Sequence, residues 1–196
     1  MFAETFGFKF QERKQRMLTI WEQGAPKKFE ELVIRRITWK GRVLTVSVIR
    51  AFASQEATIY FKGPLRLLLP FLRPDYRSGT DPNSNHINDI NQFSKDGMHA
   101  VGIAKCELDA SHTAELVRDL NERQSIYKDD ASQKDALLME FARDLELLGF
   151  LGLKKTINNR NTLMVEELRK NGVKLCILSA DEATTNITDL NAMKLF

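Results

Sequence analysis

The 196-residue sequence is poor in residues that staple or ligate, holding two cysteines and three histidines. Cys106 and Cys176 sit in apolar strand-like runs, VGIAKCEL and VKLCIL. That context favours buried, reduced thiols over a disulfide. The histidines are scattered without ligand spacing, so a zinc site has no basis. No apolar run approaches the ~20 residues that a membrane-crossing helix needs; the longest, LRLLLPFL at 65–72, is broken by Pro70. The first residues carry no secretory-leader pattern. Charge of one sign is also lacking: 29 basic residues are interleaved with 26 acidic ones, for a net +3. Nucleic-acid binders concentrate their cations more strongly, so that partner class is excluded. Walker loops, G-x-G-x-x-G, serine-elbow motifs and paired-cysteine signatures are all absent.

What is present is ordinary for a folded domain, 43% hydrophobic and 28% charged, and long enough to bury a core without staples. FGFKF places Phe6, Phe8 and Phe10 on one face of a strand, with Lys9 opposite. MLTIW at 17–21 follows, ended by a turn at Gly24-Ala25-Pro26. FEELVIRRI, RVLTVSVI and ATIYF read as three more strands, with a tight turn at Lys40-Gly41. A short helix is expected after Pro64 and a polar loop over 73–85. Ile87, Ile90 and Phe93 recur at helical spacing before Gly97. AVGIAKCEL makes a sixth strand, and helices follow over 111–124 and 132–146, capped by Ser111 and Ser132. Leu137, Leu138, Phe141 and Leu145 form an apolar stripe, read as core.

Beyond Gly149 the pattern changes to an apolar run, LLGFLGL, then a helix at 161–170, then VKLCIL, then a helix from Glu182. A strand apolar on both faces suits a covered, parallel sheet. The expected fold class is therefore α+β. A mostly antiparallel sheet of about six strands, flanked by helices, fills 1–147, and a truncated α/β (strand–helix–strand–helix) piece fills 148–196.

Three places stand out for chemistry. Asp181 follows VKLCIL, where such sheets place their ligand crevice; it can hold magnesium or position phosphate, and can equally cap the next helix. Lys62-Gly63 closes a strand, where a glycine permits close approach of a ligand but also makes an everyday turn. His99 opens a strand, a position usually structural or solvated. On these residues alone the sequence describes a mixed domain without an assigned activity.

The order of segments adds to this. GFKFQERKQRMLTIWEQGAPKKFEEL, ITWKGRVLTVSV, IYFKGPLRLLLPFL, FSKDGMHAVGIAKCEL and DLELLGFLGLKKTINNRNTLMVEELRKNGVKLCILSADEATTNI resemble, in order, segments of the P-type ATPases of the lipid-flipping branch. The resemblance covers nearly the whole chain. It implies a nucleotide-binding domain running into the start of the phosphorylation domain, in a cytosolic part of a membrane protein. Its partners would be ATP and the parent's actuator, phosphorylation and transmembrane domains. In that family, adenine lies between a phenylalanine and the lysine of Lys-Gly. Carried over, Lys62 and Gly63 match, the phenylalanine falls at Ile37, and a phosphate-facing arginine falls at His99. A hinge aspartate falls at or beside Lys155, and Thr-Gly-Asp-Lys becomes Ser179-Ala180-Asp181-Glu182. The phosphorylated Asp-Lys-Thr-Gly-Thr segment is expected before Met1 and the magnesium loop after Phe196, so magnesium belongs to the parent alone. The resemblance thus implies weak or vestigial ATP binding without hydrolysis by these residues. The alternative is a regulatory pseudo-ATPase module of a larger fusion, such as the flippase-like half of a protist guanylate cyclase.

Overall fold

A computed structural model describes residues 2–74, 86–126, 131–154 and 159–176, and the single positions Leu178, Ile187 and Asn191. Seven strands form one antiparallel meander, each beside its sequence neighbour. They are β1 (Phe8–Lys14), β2 (Met17–Glu22), β3 (Ala25–Trp39), β4 (Arg42–Ala51), β5 (Ala57–Pro64), β6 (Met98–Leu108) and β7 (Glu146–Lys154). Tight turns set the first hairpins. Lys40 and Gly41 (φ 48° and 72°) join β3 to β4, and Gln23 and Gly24 (φ 51° and 86°) join β2 to β3. Two consecutive positive φ values suit the twist of a two-residue hairpin.

One face of the sheet is the core. Alternation and register put Ile37, Leu44, Val46, Val48, Ile59, Phe61, Ala104 and Leu147 on it, all buried. The described helices that cover it include α1 (Leu65–Leu68), α2 (His86–Lys95), α3 (Ala110–Ile126) and α4 (Ala131–Glu140). They contribute buried Leu65, Leu68, Ile90, Leu116, Leu137 and Leu138. Burying Leu or Ile side chains of this kind stabilises by roughly 1.5–3 kcal/mol each. The other face carries Thr45, Tyr60, Lys62 and Ile103 toward solvent. α2 is bolted on by Phe93, which meets Phe150 of β7 edge-on at 5.9 Å, and it ends as expected at Gly97 (φ 68°).

The antiparallel α+β expectation holds, with corrections. The sheet has seven strands rather than about six, because LLGFLGL is no opening of a parallel sheet. It lies antiparallel on β6. Its inner residues pack on the helices, while Leu148, Leu151 and Leu153 stay exposed outside. β1 begins at Phe8, after a 3-10 turn over Phe2–Phe6 that leaves Phe6 outside the strand, and Phe6, Phe8 and Phe10 are exposed. The helix expected over 132–146 stops at Glu140. Leu145 then exchanges backbone hydrogen bonds with Phe71 and Arg73 and is buried there. Helix α3 is capped by Asp109 rather than Ser111. The Asp109 Oδ1 accepts the His112 amide at 2.8 Å and the Ser111 hydroxyl at 2.8 Å. Helix α5 (Asn159–Lys170) forms, but Val173–Cys176 is exposed and forms no strand. Cys106 is half-buried and Cys176 exposed, both free.

Candidate functional site

The site is built where β5 gives way to α1. Gly63 and Gly102 lie opposite each other on β5 and β6. A Cβ on Gly63 would stand 2.4 Å from Leu44 Cδ2, and one on Gly102 would stand 2.7 Å from Leu65 Cδ1. The glycine of Lys-Gly is therefore required by core packing. The pair lets α1 leave the strand without a loop and brings Arg66 to the end of the sheet.

There a hollow of about 230 Å³ opens, lined by α1, α2, the start of β4 and the start of β6. Arg42, Arg66, Ser94 and His99 supply its polar groups, and Pro64, Leu67, Ile90 and Val101 its apolar wall. The Arg66 guanidinium donates to Asn91 Oδ1 at 3.0 Å, which holds its position. None of the described residues that line the hollow is acidic. The His99 Nε2 is buried and has no hydrogen-bond partner among the described residues; such atoms are rare in native folds and mark a role still to be filled. Two guanidiniums and an imidazole favour an anion. Among the described residues that line it, the hollow has the groups to hold an anion. Its volume is below the ~300 Å³ at which small-molecule pockets begin; it takes part of a ligand. A larger hollow of about 450 Å³ lies among Leu18, Phe29, Ile49 and Tyr60, but Glu56 and Glu107 line it beside Arg50, so its charge is mixed.

The residues singled out by sequence are only partly brought together. Lys62 is exposed on the outer face, opposite Thr45 and Ile103. His99 stands four residues from Ile103 along β6, ~13 Å away, and lines the hollow beside α1 and α2. Ile37 does not join them: it pairs with Leu44 on the inner face and is 2% exposed. No ligand on the Lys62 side can touch it, so its assignment to an adenine pocket is corrected. Asp181 and Lys155 lie outside the described residues. Arg42 and Arg66 were missed; their signal was position, one just after the Lys40-Gly41 turn and one in the first turn after Pro64.

Among the described residues no group of three His, Cys, Asp or Glu could hold a metal, and no helix is long and apolar enough to cross a membrane.

No family model matches the chain. It is distantly similar, over most of its length, to phospholipid-transporting ATPases. Probable phospholipid-transporting ATPase 11 of Arabidopsis thaliana is 25% identical over 190 residues, 94% of this chain and 16% of that protein. Phospholipid-transporting ATPase ID of Mus musculus is 22% identical over 185 residues, 94% of this chain and 15% of that protein. A phospholipid-transporting ATPase of Schizosaccharomyces pombe is 25% identical over 187 residues, 94% of this chain and 13% of that protein. The chain thus spans about a sixth or less of these relatives.

Proposed function

We propose that this chain is the nucleotide-binding part of a flippase-like P-type ATPase, and that it binds ATP weakly through its phosphates. The observation that carries the reading is the gathering of Arg42, Arg66 and His99 around one hollow, in a chain similar over most of its length to phospholipid-transporting ATPases. Arg42 and Arg66 supply charge-assisted hydrogen bonds to phosphate oxygens, and His99 supplies one more from its unpartnered nitrogen. Weakness follows from two features. No Phe, Tyr or Trp is among the described residues that line the hollow, so adenine gains no aromatic stack there, a contact of ~1 kcal/mol. The hollow is also too small for a whole nucleotide, which leaves the base on the open surface beside Lys62. Phosphoryl transfer needs an acceptor aspartate and bound magnesium, which the resemblance assigns to the parent outside this chain.

The same substitutions favour a second reading, a regulatory pseudo-ATPase module of a larger protein. ATP titration followed by NMR separates the two. The first expects shifts at Arg42, Arg66 and His99 with a dissociation constant of roughly 0.1–1 mM, about −5.5 to −4 kcal/mol. No shift there at 10 mM ATP favours the second. Tight binding that depends on Lys62 and not on Arg42 or Arg66 contradicts the phosphate-led mode.

A further inference from the structure

A second feature lies far along the chain from the β6 hollow. β3 is fifteen residues long, but β2 pairs only with its first part, Ala25 to Glu30. At Glu31 the amide donates to the Arg16 carbonyl at 2.7 Å, and the register then shifts between Glu31 and Val33. Among the described residues, β4 is the only strand beside β3 from Val33 to Trp39. Its outer edge is an unused template for a further strand.

At the head of that edge is a hollow of about 330 Å³. Its apolar floor is Leu32, Val33, Val117 and Leu120, and its rim carries Arg13 and Arg16 of the β1–β2 hairpin, Arg35 of β3 and Lys134 of α4. Glu31 is the one acid among the lining residues, and Arg13 already holds it. Arg35 is tied to Asp135 at 2.8 Å. Arg16, Lys134 and, further along the edge, exposed Arg36 make no side-chain ion pair or hydrogen bond among the described residues.

Cations on an open edge commonly serve to prevent aggregation. Here they gather round an apolar depression, an arrangement that repels like copies and attracts acidic chains alike. Pairing this edge with a second copy, in a register centred on the segment, would bring Arg35 and Arg36 of the two copies together. A phosphate alone would leave both the apolar floor and the edge amides unused.

We propose that the Val33–Trp39 edge binds an acidic, extended polypeptide segment as an added strand. Its apolar residues settle on Leu32, Val117 and Leu120, and its carboxylates face Arg16 and Lys134 on the rim of the hollow. Main-chain hydrogen bonds supply affinity in such strand addition, and alternate side chains supply selectivity.

The probe is a labelled ten-residue peptide alternating Glu with Val and Leu, titrated by fluorescence anisotropy against the full 196-residue chain. Its control replaces each Glu by Lys. The expected result is saturable binding of the acidic peptide alone, with slowed amide exchange between Val33 and Trp39. The R16E/K134E variant should bind about tenfold more weakly or worse, as expected when two charge contacts are reversed; Arg16 is exposed and Lys134 half-buried, and unchanged tryptophan fluorescence confirms the fold. Three results overturn the proposal. One is no binding of the acidic peptide, or equal binding of the Lys control. Another is slowed exchange elsewhere only. The third is full displacement by pyrophosphate without amide protection, which marks a simple anion site.

Discussion

The packing at Gly102 predicts a measurable cost for a single added methyl group. In Gly102→Ala the new Cβ would stand 2.7 Å from Leu65 Cδ1 and 3.4 Å from Leu68 Cδ1, where carbon atoms prefer ~3.5–4.0 Å. Leu65 and Leu68 are both fully buried, so neither can swing into solvent. Overpacking of this size costs ~1–3 kcal/mol, offset by ~0.4–1 kcal/mol from the stiffer unfolded chain. The net expectation is about 1–2 kcal/mol of destabilisation. With a urea dependence of ~2 kcal/mol per molar, the unfolding midpoint, followed by Trp21 and Trp39 fluorescence, should fall by roughly 0.5–1 M. Leu65→Ala alone should cost ~2–5 kcal/mol. The double variant should be less destabilised than the two effects added, since the new methyl enters the space that Leu65 vacates. A neutral Gly102→Ala with strictly additive behaviour would refute the packing argument. Because Leu65 adjoins Arg66, Gly102→Ala should also weaken phosphate binding at the β6 hollow.

Thr113 is 2% exposed, and its hydroxyl accepts the Ala57 amide at 3.2 Å. Thr113→Val leaves that amide unpaired in the core and should cost ~1–3 kcal/mol, while Thr113→Ser keeps most of the stability; equal unfolding midpoints for Val and Ser would contradict this. The Asp109 carboxyl is held at about 2, first by the His112 amide and then by the Ser111 hydroxyl. A depressed pKa contributes stability that is present above the unfolded value near 4 and lost as pH falls toward 2. Urea midpoints at pH 5 and 2.5 should therefore fall further for the wild type than for Asp109→Ala, and an equal fall in both would contradict it.

Much of the sheet was legible because its hairpins are short and its runs β-branched. Lys40-Gly41 alone sets Trp39 opposite Arg42, and hence Ile37 opposite Leu44. What hid the failure of the Ile37 assignment was the next connection. Phe52 to Glu56 is too long to fix a register, so the sequence could not place Lys62 on the face opposite Ile37. β7 escaped because an edge strand that packs helices on one side and leaves leucines bare on the other lacks the alternation of a half-buried strand. The basic hollows escaped for a different reason. Arg42, Arg66 and His99 are distant in sequence, as Lys134 is from Arg13 and Arg16, and meet only through tertiary packing. Gly63 was noticed as a place of close approach, but the approaching group is Leu44.

The most direct measurement is ATP binding by wild type, Arg42→Ala/Arg66→Ala and Lys62→Ala, followed by NMR at fixed low ionic strength. Phosphate capture in the β6 hollow predicts shifts centred on Arg42, Arg66 and His99, at least tenfold weaker binding in the double arginine variant, and a smaller effect from Lys62→Ala. Shifts centred on the outer face around Lys62, with the double arginine variant binding as tightly as wild type, would contradict it.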